Sequence, residues 1–207
     1  MIISVVSFKG GVGKTTTALH LATYFQTKAP TLLIDGDLNR SALQWASAGT
    51  LPFKVVDEKS AVKFARSFDH LIVDTPARPQ QEELKTIAEG CDLLVLPTSP
   101  DALAMGATLQ MVDALQALKT DFKLLLTLVP PSPSKVGIEA RASIENAGLP
   151  IFKSNIRRLA VFQKAALEGC PVNAVKGDSY SGIAWKCYEQ VGKEILKWLD
   201  LTNYSRL

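Results

Sequence analysis

Lys9, Lys14, Thr15 and Thr16 stand in one octapeptide, KGGVGKTT (9–16), with three glycines among them. This composition suits the holding of phosphate. Gly10, Gly11, Val12 and Gly13 form a stretch whose small residues let backbone N–H groups approach phosphate oxygens, and the N-terminus of a following helix adds its dipole. Lys14 is then placed to reach the β- and γ-phosphates, the Thr15 hydroxyl to ligate Mg²⁺, and Thr16 to support the α-phosphate. The usual phosphate loop reads GxxxxGK(S/T). Here Gly13, Lys14 and Thr15 supply its end, and Phe8 stands where its first glycine would be. Lys9 is surplus to holding phosphate within one chain.

Three carboxylates join this set. Asp74 closes the apolar run LIVD, where an aspartate holds Mg²⁺ directly or through water. Asp35 and Asp37 follow another apolar run, TLLID. Asp37 is placed to orient an attacking water and to contact the metal. Asp35 is read either as turn chemistry within DGDLN or as an outer contact to Mg²⁺.

These groups need a scaffold that gathers them. Apolar runs at 2–8, 31–35, 70–74, 92–97 and 122–129, with a shorter one at 53–56, alternate with helical stretches near 15–27, 40–47, 80–90, 101–119 and 135–146. The runs are continuously apolar, as strands covered on both faces are. The pattern predicts an α/β fold: a doubly wound, mostly parallel sheet flanked by helices. Ligands bind beyond the C-terminal ends of parallel strands, and the glycine loop, DGD (35–37) and DTP (74–76) all fall there. At 207 residues the chain is expected to form one domain, with the proline-rich stretch 129–135 a loop inside it.

Composition excludes several classes. Cys91, Cys170 and Cys187 are scattered without a CxxC pair, which argues against a disulfide framework or zinc site and suits a reducing cytoplasm. The first strand is too short for a signal peptide, and no apolar run is long enough to span a bilayer. Residues 1–134 carry 12 Lys/Arg against 13 Asp/Glu, whereas residues 135–207 carry 11 against 7, so the last third is basic.

KGGVGKTT, DGDLNRS and LIVDTP together resemble the deviant Walker-A ATPases of the ParA/MinD family, and the likeness extends through NIRRLAVFQKAALEGCPV (155–172). The resemblance implies a P-loop NTPase that forms a sandwich homodimer with ATP. In it Lys9 is the signature lysine reaching across to the partner's nucleotide, Asp37 the catalytic aspartate, and Asp74 the Walker-B aspartate. Leu38 replaces the proline usual after that catalytic aspartate. A cation supplied in trans stabilises charge on the transferring phosphoryl group, which makes hydrolysis depend on dimerisation. Related GTPases read guanine with a late Asp; LLTLVPPSPSK offers none, so ATP is expected, with Pro130 shaping the adenine edge.

Lys153, Arg157, Arg158, Lys164 and Lys176 form a basic segment opposed by Glu168. With the family resemblance this predicts sequence-independent DNA binding, doubled in a dimer, and hence a nucleoid-associated ATP form in the cytoplasm. Because the glycine loop begins at residue 9, no helix-turn-helix is expected ahead of it. The expected role is segregation or positioning of a plasmid, a chromosome region or a protein assembly such as a carboxysome. A ParB-like or other cargo-bound adaptor would stimulate hydrolysis.

The alternative is a MinD-like membrane-surface ATPase, which needs an amphipathic tail. Val191, Ile195, Trp198 and Leu199 share a helical face there, although such a stripe usually packs on a core. An iron–sulfur ATPase would need paired cysteines, and a dethiobiotin synthetase-like enzyme would turn over a small substrate without responding to DNA.

Overall fold

A computed structural model of the chain describes residues 1–117 and 120–205, with side chains described as far as residue 200. Six parallel strands make one sheet in the order β3-β2-β4-β1-β5-β6. They are β1 (Ile2–Ser7), β2 (Thr31–Asp35), β3 (Lys54–Asp57), β4 (His70–Ala77), β5 (Leu93–Thr98) and β6 (Phe122–Leu126). The helices are α1 (Lys14–Gln26), α2 (Ser41–Ala48), α3 (Glu58–Phe64), α4 (Gln81–Glu89), α5 (Ala102–Ala117), α6 (Val136–Asn146), α7 (Val161–Glu168) and α8 (Ser181–Ser205). Short 3-10 turns lie at Ala65–Ser67 and Val172–Ala174.

Alternation within β1 divides the core. Ile3 and Val5 pack with Phe25, Trp45, Phe152, Tyr188 and Val191 under α1, α2, α7 and α8. Val6 turns the other way and packs with Leu84, Leu96, Met105 and Ile144 under α4, α5 and α6. A smaller cluster of Leu32, Ile34, Val56 and Ala61 closes the β3 edge beneath α3. All six residues of β5 are buried, as a strand covered on both faces requires.

Register sets the site. Asp35 pairs with Asp74, and Val5 pairs with Asp74 on its other side. Two carboxylate-bearing positions and the strand feeding the glycine loop are therefore level at one sheet edge. Gly36 donates its N–H to the Asp74 carbonyl at 2.8 Å, which ties the DGD loop to β4.

The expected strands and helices are present within a residue or two, with these exceptions. The strand expected over 70–74 runs on to Ala77, so Asp74 lies within β4 rather than at its end. The run 122–129 does not stay a strand to its end. Thr127 turns its hydroxyl to the Val12 carbonyl, and Leu128 takes a left-handed φ of 52°. The helix expected over 101–119 spans Ala102–Ala117, and residues 118 and 119 lie outside the described residues. Helices α3 and α7 are additions to the sequence reading. Asp57 caps α3 by accepting the Ser60 N–H at 2.7 Å. In α8, Val191 and Ile195 are fully buried, and Trp198 and Leu199 pack against the same core. That stripe is an internal face. Among the described residues no helix is long and apolar enough to cross a membrane.

Candidate nucleotide site

The glycine loop joins β1 to α1 with two residues in left-handed conformations, Gly11 at φ 79° and Gly13 at φ 82°. A side chain at either position would be strained. Gly13 is also the N-cap of α1, and it offers no side chain there to occupy the helix's free N–H groups. A β-carbon placed on Gly10, Gly11 or Gly13 would meet no atom within 4 Å. The loop is thus an open concavity of backbone donors, the shape a phosphate fills. Thr127 braces it from just beyond β6, donating to the Val12 carbonyl at 2.7 Å.

Beneath the loop Lys14 reaches inward. Its Nζ donates to Asp37 Oδ2 at 2.8 Å and to Asp74 Oδ1 at 2.7 Å. The three side chains are 7%, 10% and 0% exposed, so these are buried charges in a low dielectric. Two carboxylates face one ammonium, leaving the trio one negative charge in excess. Asp74 Oδ2 is buried with no hydrogen-bond partner. Burial pushes the Asp74 carboxyl up from its ordinary value, against the pull of Lys14 and of the nearby Thr15 hydroxyl. Burial also acts to raise Asp37, but Lys14 and the Asn39 N–H outweigh it, so its carboxyl is held below the usual value. An orphaned buried oxygen, an excess negative charge and a neighbouring hydroxyl fit a divalent cation.

Asp35 has a different task. It is fully buried, and its two oxygens accept the N–H groups of Asp37 (3.1 Å) and Leu43 (2.9 Å). It shapes the DGD turn and starts α2, in agreement with turn chemistry. Asp37 Oδ1 accepts the Asn39 N–H at 2.9 Å, which leaves Oδ2 for Lys14. Leu38 is 86% exposed beside it.

A cleft of about 860 Å³ runs from the glycine loop past the segment that follows β6 to α7 and α8. Thr16 and Pro130 both line it. Lys9 lines its mouth, and its Nζ donates to Asp101 Oδ1 at 2.7 Å. Arg157 and Arg158, predicted as DNA contacts, also border this cleft. Lys153 faces a second groove of about 740 Å³ together with Arg157 and Lys186 of α8. Lys164 donates to the Lys176 carbonyl at 3.0 Å and sits 3.9 Å from Glu168. The linear basic segment is therefore divided among three places.

Under the cleft lies an aromatic cluster. His20 stacks on Tyr188 with centroids 4.8 Å apart, and Phe162 and Trp45 meet it edge-on. Its Nδ1 donates to the Thr16 carbonyl at 2.7 Å, and its Nε2 accepts the Val172 N–H at 3.0 Å. These two bonds require the neutral ring with its proton on Nδ1. Full burial lowers the imidazole pKa to about 4.

Sequence reasoning missed Asp101 and Thr127 at the edge of the site. The strand-end rule applied to β1, β2 and β4 leads to both when it is extended to the ends of β5 and β6.

Fold and site together define a P-loop nucleotide-binding protein. The chain belongs to the CobQ/CobB/MinD/ParA nucleotide binding domain family, whose model matches residues 3–172. It is 32% identical over 202 residues to maintenance of carboxysome distribution protein A of Gloeobacter kilaueensis, covering 94% of this chain and 93% of that one. It is 34% identical over 164 residues to protein ParA of Rhizobium radiobacter, covering 70% and 73%. The fold matches that of the septum site-determining protein MinD of Pyrococcus horikoshii, solved with Mg-ADP. The TM-score is 0.71 at 21% identity, over 97% of each chain.

Proposed function

We propose that this chain is an ATP-dependent dimerising ATPase that binds DNA nonspecifically and positions a cargo, with hydrolysis stimulated by an adaptor on that cargo. The observation that carries the reading is Lys14 held between Asp37 and Asp74 directly under an open glycine loop. Likeness to the Gloeobacter protein makes a carboxysome the favoured cargo, ahead of plasmids and chromosomes.

The residues divide the work. Phosphate entering the loop draws Lys14 away from the two carboxylates, because the nucleotide's charge exceeds theirs. Backbone N–H groups of residues 10–13 and the hydroxyl of Thr16 hold the phosphate chain, and Pro130 borders the base. Thr15, Asp37 and Asp74 would hold Mg²⁺, which would supply charge neutralisation at the phosphate oxygens. Asp37, released by Lys14, orients the attacking water. Lys9 acts on the partner's phosphates, so each site is complete only in the dimer. The protein so described is a single ATPase domain working in the cytoplasm, nucleoid-associated when ATP-bound, with Lys153, Arg157, Arg158 and Lys164 as DNA contacts.

Replacing Asp37 by Ala tests this directly. Phosphate release should fall about a hundredfold or more while ATP is still bound and the chain accumulates as dimer by sedimentation velocity. A monomeric Asp37→Ala variant with wild-type turnover would remove Asp37 from the mechanism.

A further inference from the structure

Lys9 is the one lysine of the glycine loop not engaged beneath it, and it is not free. Its Nζ lies 2.7 Å from Asp101 Oδ1, with the two side chains 31% and 48% exposed. Asp101 directly precedes α5, where Oδ1 also accepts the Ala104 N–H at 3.0 Å. Its other oxygen accepts the Ser99 hydroxyl. The Lys9 ammonium, followed by these hydrogen bonds, holds the Asp101 carboxyl far below the usual carboxylate range. Asp101 is thus a fixed anchor on a helix start, and Lys9 is a long side chain tethered to it at the cleft mouth.

We propose that Asp101 is a positioning residue that holds Lys9 in cis in the nucleotide-free chain, so that dimer assembly must break this pair before Lys9 can reach the partner's phosphates. The inference rests on the reading of Lys9 as a trans-acting lysine. The lysine exchanges one carboxylate for a polyphosphate of higher charge, so ATP supplies the drive and the pair sets a threshold. Without the pair Lys9 would extend freely, and the chain would dimerise at lower concentration. A half-exposed ion pair is a weak contact, which keeps the latch breakable.

Asp101 could instead serve only as the cap of α5. Asn and Ser cap helices as well as Asp does but carry no charge, so Asp101→Asn and Asp101→Ser separate the two roles. Two measurements are made on each full-length variant, with thermal melting as the check on folding. The first is acetylation of the Lys9 amine by dilute acetic anhydride without nucleotide, followed by mass spectrometry. The second is the protein concentration for half-dimerisation with Mg²⁺ and a non-hydrolysable ATP analogue.

Both variants should label Lys9 about two- to fivefold faster and dimerise at about two- to fivefold lower concentration, the range that a half-exposed ion pair can supply. Unchanged labelling overturns the latch and leaves Asp101 a helix cap. Weaker dimerisation also overturns it, because Asp101 would then be serving the dimer. A wild-type chain that stays monomeric with the analogue defeats the dimerising-ATPase reading instead, and the labelling rates still decide whether the pair exists.

Discussion

At the scale of single residues, the site is built from charges that satisfy one another until a nucleotide arrives. Lys14 neutralises parts of two carboxylates, and Lys9 is tied to a third. His20 is the contrasting case, a titratable ring used as a neutral strut between Thr16 and Val172. Its pKa falls from 6.5 to about 4 on folding, so the unfolded chain binds more protons between those values. Stability is therefore fully present above about pH 6.5 and is lost as pH falls towards 4, by up to about 3 kcal/mol. Urea midpoints between pH 7 and pH 4.5 should drop steeply for the wild type and more shallowly for His20→Gln, once its lower starting stability is subtracted. Equal slopes would assign the acid sensitivity to other groups. Nothing in the spacing around His20 announces this role, because apart from Thr16 one turn away its partners lie on α2, α7, α8 and the turn at Val172–Ala174.

At the scale of elements, the nucleotide loops grip the C-terminal part of the chain. Helix α1 follows the glycine loop and meets the Val172 turn through His20. Helix α2 follows the DGD loop, and its Trp45 Nε1 donates to the Cys170 carbonyl at 3.0 Å. The ends of α2 and α7 then touch backbone to backbone. Gly169 closes α7 with φ 63°, and a β-carbon there would enter the backbone of Ala48 and Gly49. Gly169→Ala should cost about 2 to 4 kcal/mol, from the left-handed φ and the overlap together, read as a lower urea midpoint. A loss under about 0.5 kcal/mol would mean that the α2–α7 contact yields freely. The meeting of Gly169 with Gly49 could not be read from the sequence, since 120 residues separate the two.

At the scale of the whole molecule, the basic surface is shaped by folding. Arg157 borders both the nucleotide cleft and the groove with Lys153 and Lys186, while Lys164 is turned to the Lys176 carbonyl and Glu168. The proposed DNA affinity should therefore depend on Arg157 and Arg158 more than on Lys164. Arg157→Glu with Arg158→Glu should weaken binding to random-sequence duplex at low salt by about tenfold or more and flatten its salt dependence. Nucleotide affinity, read by equilibrium dialysis, separates loss of a DNA surface from damage to the cleft these arginines border. Unchanged duplex affinity would move the DNA surface elsewhere.

Local chemistry was legible without coordinates because it is written in neighbouring residues. The glycine loop, the aspartates ending the apolar runs TLLID and LIVD, the continuously apolar strands and the basic last third each follow from short-range composition and spacing. Only the tertiary structure decided which charges meet. It put Asp37 and Asp74 on one lysine, sent Asp35 to its own turn, gave Lys9 the counter-charge of Asp101, and divided the basic segment between two grooves and a helix side. The reason is the parallel sheet, whose strand ends are joined by register and whose crossovers bring residues about 90 positions apart within hydrogen-bonding distance.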